Sequence, residues 1–336
     1  MMQHDTATDT KRSLESVCQL GSRLREALAG SIVGQEDVVD DLIVCLLAEG
    51  HCLLEGLPGL AKTEIVKSLA AAINLDFGRI QFTPDILPAD IVGSDVLVDH
   101  PTDGRQLQFL PGPVFKNVLL ADEINRGPPK TQAALLEAMQ EGQVTVGGAR
   151  HILPDPFFVL ATRNPIEHEG TYGLPESQLD RFLMLIHVDY PPLADELEIV
   201  RRTTGVKQPV VSAVVDLKML NAARRVVRCV PIAEPLLELA VQFVRASRPG
   251  DACAPDWLEQ LVQFGAGPRA AQALVLTAKA RAALAGRPCV SLEDLGRSAV
   301  AVLRHRLVLS FESDAEGVTP DDIVSRLVTE RLSGSN

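Results

Sequence analysis

The stretch Gly56-Leu-Pro-Gly-Leu-Ala-Lys-Thr63 constrains the fold more than any other part of this chain. It follows the apolar run Cys52-Leu53-Leu54 and precedes a helix-compatible segment, Glu64 to Ile73. A strand, a glycine-bearing turn and a Lys-Thr pair at a helix start make the layout of a phosphate-binding loop. Glycines let backbone N–H groups close around phosphate oxygens, and the helix N-terminus adds positive potential. In that reading Lys62 reaches the β- and γ-phosphates of ATP or ADP, and the Thr63 hydroxyl ligates Mg2+. Gly56, Pro58, Gly59, Leu60, Ala61 and Glu64 form the rest of the cradle. One position departs from the strict pattern, because Ala61 stands where glycine is usual and alanine tolerates positive φ poorly. Either that position is helical or the match is accidental.

The surrounding pattern supports the match. Short apolar runs recur at Cys52–Leu54, Val118–Ala121, Phe157–Ala161 and Phe182–Val188, with Phe77–Phe82 as a weaker one. Helical patterns lie between them, such as Thr131–Gln140 with Leu135, Leu136 and Met139 on one face. Continuously apolar strands alternating with helices predict an α/β fold with a parallel sheet covered on both sides. Ligands bind such sheets at the carboxyl ends of the strands, where Gly56–Thr63 falls. Two stretches interrupt the alternation. Residues 83–113 carry too many Pro and Gly for one helix and predict an insertion with a short hairpin. Residues 143–152 alternate around Gly147-Gly148 and predict a second hairpin. After Tyr190-Pro191-Pro192 only helical patterns follow. Ser291-Leu-Glu-Asp294 has capping-box spacing ahead of Leu295, Ala299, Val302 and Leu309, and Thr319-Pro320-Asp321-Asp322 starts another helix. The expected organisation is a helical segment over 1–30, a nucleotide-binding core over 31–190, a linker over 191–208 and a small all-α lid over 209–336.

Composition narrows the function. A net charge of −12 and 4% aromatic residues disfavour a large nucleic-acid surface. No apolar run approaches the roughly 18 residues of a membrane span, so no membrane insertion is expected. The six cysteines are scattered without a C-x-x-C pair, which suits a reducing cytoplasm better than a zinc site or a disulfide framework.

Three further constellations carry chemistry. Val118-Leu-Leu-Ala-Asp122-Glu123 is an apolar strand ending in two acids. Asp122 would hold Mg2+ opposite Thr63, and Glu123 would orient and polarise the attacking water. Asn164, at the end of the Phe157–Ala161 strand segment, could hydrogen-bond the γ-phosphate or that water, although Asn-Pro also simply starts turns. Arg181 stands directly before the last strand, where it could pair with Asp180 or reach a neighbouring subunit's γ-phosphate. Arg269 opens a lid helix and could couple lid position to nucleotide state.

The order of these motifs resembles an AAA+ ATPase, and the detail resembles the MoxR family. The strings that carry the likeness are Phe82-Thr-Pro-Asp-Ile-Leu-Pro-Ala-Asp-Ile-Val-Gly, Pro111-Gly-Pro-Val-Phe and Glu169-Gly-Thr-Tyr-Gly-Leu-Pro-Glu, within a likeness running from about Ile32 to the C-terminus. That family usually has Gly-Leu-Ala-Lys-Thr in its loop, which accounts for Ala61. The resemblance implies Walker A at Lys62 and Thr63, Walker B at Asp122 and Glu123, sensor 1 at Asn164, an arginine finger at Arg181 and sensor 2 at Arg269. It places Val33, Gly34 and Gln35 on the adenine side, and matches 83–113 to the helix-2 insert and 143–152 to the pre-sensor-1 hairpin. It further implies ATP hydrolysis in a hexameric ring that remodels a protein client with a von Willebrand factor A domain partner. Two alternatives stay open: a nucleic-acid motor of the same clade and a metal-chelatase motor subunit. Arg163, Gly173 and Gly267 depart from the family's usual Gln, Pro and Ser, and Arg163 puts an extra positive charge beside Asn164.

Overall fold

The computed structural model describes residues 2–100, 104–165, 171–205 and 211–332. Part of the Glu169–Glu176 string therefore lies outside the described residues. The chain opens with a long helix, α1 (Met2–Ala29), followed by α2 (Glu36–Leu47). Leu14, Val17, Leu20, Leu24 and Leu28 recur at three- and four-residue spacing on α1, and all are buried.

The core then alternates as the apolar runs predict. Strand β1 (Cys52–Gly56) leads to α3 (Lys62–Ala72), and β2 (Phe77–Gln81) leads into α4 (Pro88–Val92) and the hairpin β3 (Gly93–His100) and β4 (Gly104–Pro111). Next come β5 (Val118–Asp122), α5 (Pro129–Glu141), the hairpin β6 (Gln143–Val146) and β7 (Ala149–Ile152), β8 (Phe158–Arg163), α6 (Glu176–Leu179) and β9 (Met184–Val188). Five strands pair in parallel in the order β2-β5-β8-β1-β9. Because side chains alternate across a strand, each central strand feeds two hydrophobic layers. Cys52, Leu54, Leu120 and Leu160 face one layer; Leu53, Leu119, Ala121 and Val159 face the other, with Leu135, Leu136 and Met139 of α5. Covering both faces is what makes these strands read as continuous apolar runs.

Both sequence-read hairpins are present. In the first, Leu97 faces Leu107 across the ladder, and the two are 59% and 73% exposed. In the second, Gly147 and Gly148 both take positive φ, 57° and 83°, as a two-residue turn requires. The hairpins touch, with the Phe109 ring stacked on His151 at 3.8 Å.

Helix α7 (Leu193–Thr204) lies within the stretch read as a linker. The remaining chain forms α8 (Leu217–Cys229), α9 (Glu234–Arg245), α10 (Leu258–Leu261), β10 (Val262–Phe264), α11 (Pro268–Leu284), α12 (Leu292–Leu303), β11 (Val308–Leu309), α13 (Phe311–Glu316) and α14 (Pro320–Arg331). The capping box at Ser291 forms as read, and Thr319 starts α14 as read, with a capping box to Asp322 that the sequence reading did not name. The expectation of purely helical patterns after Leu193 needs one correction, since β10 and β11 pair antiparallel. Leu309 therefore belongs to a strand, not to the helix that starts after Ser291. Strands of three and two residues, joined across the lid, carry too little periodicity to be seen locally.

Buried arginines join the helical half to the core. Arg306 donates to Asp180 Oδ1 at 2.8 Å and to the Phe182 carbonyl at 2.6 Å. Arg224 donates to the Leu46 carbonyl at 3.0 Å. A buried guanidinium is tolerated only with such partners. Helix α1 also bridges the halves, packing on α3 and on α8 and α11.

Candidate functional site

The loop after β1 has its shape for identifiable reasons. A Cβ at Gly56 would run into the Val188 carbonyl on β9, so only glycine fits beneath the loop. Gly59 takes φ +86° and Ala61 takes φ +54°, ψ 18°. Ala61 is thus neither helical nor a sign of an accidental match. It occupies the left-handed region as a non-glycine residue, at a cost of roughly 1 kcal/mol. Helix α3 starts at Lys62, and its first N–H groups have no acceptor within the helix. Lys62 Nζ donates to the carbonyls of Gly56 and, at 3.2 Å, Leu57.

Two adjoining cavities share Pro58–Ala61 and Glu64. The first, of about 420 Å³, brings together Lys62 and Thr63 at the start of α3, Asp122 and Glu123 at the end of β5, and Asn164 after β8. The second, of about 640 Å³, has a mainly apolar wall that includes Ile32, Val33, Gln35, Tyr190, Pro191 and Val200. One cavity can hold phosphates and a cation, the other a planar base. Gln35 fixes the second wall by donating to the Asp189 carbonyl at 2.8 Å. Gly34 does not line either cavity; it turns the chain at φ +71° where the Asp195 side chain comes close. Gly56 likewise sits outside both linings.

The two acids sit in a closed hydrogen-bond circuit. Asp122 is buried; its Oδ1 accepts from Thr162 Oγ1 at 2.6 Å, and its Oδ2 accepts from Arg79 Nη2 at 2.6 Å. Glu123 takes φ +55°, a conformation that non-glycine residues hold only when the surroundings impose it. Its N–H donates to Thr162 Oγ1 at 2.8 Å, and its Oε2 accepts from Gln81 Nε2 and Arg126 Nη1, both at 2.8 Å. Among the described residues no cluster of three or more His, Cys, Asp or Glu could cage a metal. A hydroxyl and one acid beside a phosphate cradle nevertheless fit Mg2+, which takes few protein ligands and completes its shell with water and phosphate.

Arg163 lines the smaller cavity, but its charge is matched by an ion pair with Glu55 on β1. Burial alone would raise the Glu55 carboxyl, yet the contacts from His187 and Arg163 outweigh it and hold the group below the usual carboxylate range. The extra positive charge expected beside Asn164 is therefore largely cancelled within the chain.

Arg181 and Arg269 are elsewhere. Strand β9 runs parallel to β1, with Met184 opposite Cys52 and Val188 opposite Gly56. Arg181 precedes β9, so the length of that strand, about 15 Å, separates it from the loop. Its Nη1 donates to the Leu136 carbonyl at 2.7 Å, and its buried Nε has no hydrogen-bond partner among the described residues. Arg269 approaches Asp180 at 3.7 Å. Both arginines line a third cavity, of about 260 Å³, with Asp180 and Arg306. Arg269 therefore does not line the nucleotide-shaped cavities of its own chain.

Four residues around the two acids escaped the sequence reading, Arg79, Gln81, Arg126 and Thr162, as did Tyr190, Pro191 and Val200 on the wall of the larger cavity. Period-2 spacing was the available signal for two of them, since Thr162 lies two before Asn164 and Arg79 two before Gln81. Arg126 offered none beyond its place three residues after Glu123.

Comparison with known proteins agrees with this geometry. Residues 51–184 match the ATPase family associated with various cellular activities (AAA), and residues 257–327 match the AAA lid domain. Chaperone MoxR1 of Mycobacterium tuberculosis is 41% identical over 298 residues, 88% of this chain and 78% of the relative. Protein MoxR of Methylorubrum extorquens is 30% identical over 318 residues, 89% of this chain and 91% of the relative. A crystal structure of a candidate ATPase from Cytophaga hutchinsonii superposes with a TM-score of 0.89 at 37% identity, covering 100% of both chains. With a parallel-sheet nucleotide core, an α-helical lid and these relatives, the chain is an ATP hydrolase and belongs to the MoxR family of AAA+ ATPases.

Proposed function

We propose that ATP occupies the two adjoining cavities, with its base against Val33, Gln35 and Tyr190 and its phosphates over Gly59–Thr63. Mg2+, held between Thr63 and Asp122, would neutralise charge on the phosphates. Glu123 takes a proton from the attacking water, and Asn164 orients that water or the γ-phosphate. Lys62 leaves the Gly56 and Leu57 carbonyls for the phosphates. Arg181 and Arg269 serve the site of the adjacent subunit, because their own loop lies at the other end of the sheet. A finger supplied in trans needs a neighbouring subunit, and a hexameric ring is the assembly we infer. MoxR1 is named a chaperone, and on that likeness the ring couples hydrolysis to remodelling of a partner protein complex, together with a von Willebrand factor A domain protein. The scattered cysteines, without a C-x-x-C pair, support work in the reducing cytoplasm.

The observation that carries this reading is the convergence of Lys62, Thr63, Asp122, Glu123 and Asn164 on one cavity. The test is Glu123→Gln. It should bind ATP with near wild-type affinity, turn over at least about 100-fold more slowly, and retain its client on affinity capture. Wild-type turnover in that variant would overturn the assignment of the base.

A further inference from the structure

Asp122 and Glu123 are tied to one side chain by different routes. Arg79 lies two residues before Gln81 on β2, so both side chains leave the strand on the same face. Gln81 pairs with Asp122 across the ladder, which brings Arg79 within reach of the strand end. Arg79 donates to Asp122 Oδ2 twice, from Nε at 3.1 Å and Nη2 at 2.6 Å. The same Nη2 donates to Gln81 Oε1 at 2.6 Å. A guanidinium carries donors only, so it accepts only the oxygen face of the Gln81 amide. The amide NH2 is then directed at Glu123, where it donates to Oε2 at 2.8 Å. Thr162 closes the circuit between the two acids.

We propose that Arg79 is a positioning residue for both acids: its guanidinium holds Asp122 in competition with a divalent cation, and by fixing the Gln81 amide it sets the direction of the Glu123 carboxylate. The inference rests on the reading of Asp122 as the cation-side acid and Glu123 as the base. Asp122 has both oxygens engaged, one of them by a positive charge that repels an arriving cation. The Arg79 side chain is 47% exposed and Asp122 12%, so the arginine is the partner free to swing away. Its influence on Glu123 passes through Gln81, and that makes the two effects separable.

The experiment uses the full chain and four variants: Arg79→Ala, Arg79→Lys, Gln81→Ala and the Arg79→Ala/Gln81→Ala double. Binding of a fluorescent ATP analogue is titrated against Mg2+, kcat and KM are measured, and thermal melts check folding. Arg79→Ala should lower the half-saturating Mg2+ concentration about fivefold, because the competing cation is gone. Gln81→Ala should leave that midpoint unchanged. Both single variants should lose about tenfold in kcat with little change in KM for ATP, and the double should lose no more than either. Arg79→Lys keeps the charge but cannot contact Asp122 and Gln81 with one planar fork. It should keep the wild-type Mg2+ midpoint and lose kcat, and it carries the test if Arg79→Ala melts early. A Mg2+ midpoint unmoved in Arg79→Ala, multiplicative kcat losses in the double, or wild-type kcat in Arg79→Lys would overturn the role of Arg79 alone. Wild-type nucleotide binding that ignores Mg2+ would overturn the reading of Asp122, and this inference with it.

Discussion

The two ends of the parallel sheet differ in the charge they gather. At the carboxyl end, the loop, Asp122, Glu123 and Asn164 surround a cavity, and the acids are held by the chain's own Arg79 and Arg126. At the amino end of β9, Arg181, Arg269 and Arg306 gather around Asp180 and main-chain carbonyls. One end sets a helix start and a lysine beside two acids; the other gathers guanidinium groups and, among the described residues, no glycine-bearing loop of that kind. The difference teaches that a single chain folds both halves without joining them. A head-to-tail pair of chains would bring one's arginines to the other's acids, which is the geometry a ring of identical subunits repeats.

Mixing experiments would break this comparison most sharply. Arg181→Ala should lower turnover by about 1,000-fold or more while nucleotide affinity stays near wild type, the signature of a charge that acts in the transition state. Lys62→Ala should instead lose nucleotide binding, by about 100-fold. Rings containing both variants should regain part of the activity, because some interfaces pair an intact cradle with an intact finger. Mixed rings shown to form and yet inactive would place both halves in one chain after all.

A smaller effect probes the arginine end by pH. His51 stands at the start of β1 and lines the same cavity as Arg181. Its Nδ1 accepts from the Val159 N–H at 3.0 Å and its Nε2 donates to the Met139 carbonyl at 3.1 Å. Burial, reinforced by the Arg224 charge and only partly opposed by the Met139 carbonyl, lowers its pKa to about 4. The unfolded chain takes up this proton near pH 6.5 and the folded chain only near 4, so stability is full above about 6.5 and falls as the pH drops between those values. By pH 5 the loss from this group is about 2 kcal/mol. Urea unfolding at pH 7 and pH 5 measures it, and His51→Gln should show a shallower decline. An equal decline in the variant would assign the sensitivity to other groups.

The smallest expected effect sits at the nucleotide end. Ala61→Gly removes the left-handed strain and should stabilise the chain by about 1 kcal/mol, a rise of about 2 °C in Tm. An unchanged or lowered Tm would mean that the loop is held by contacts a glycine loosens.

What could be read along the chain was local chemistry. Glycines and a Lys-Thr pair announce a phosphate loop, apolar runs ending in Asp122-Glu123 and Arg163-Asn164 announce parallel strands with polar tips, and Ser291 and Thr319 announce helix starts. Each of these signals is contained within a few residues, because side-chain type biases the backbone where it stands. Strand order is not local, and the residues that hold the acids depend on it. Arg79 and Gln81 reach Asp122 and Glu123 only because β2 pairs with β5, and Thr162 reaches both acids only because β8 pairs with β5. The same holds for Glu55, which cancels the charge of Arg163 from the neighbouring strand. The motifs announced a chain that binds and splits ATP, and composition only set alternatives aside. The sheet decided which cations guard its acids, and it placed Arg181 and Arg269 at the opposite end from the chain's own glycine-bearing loop.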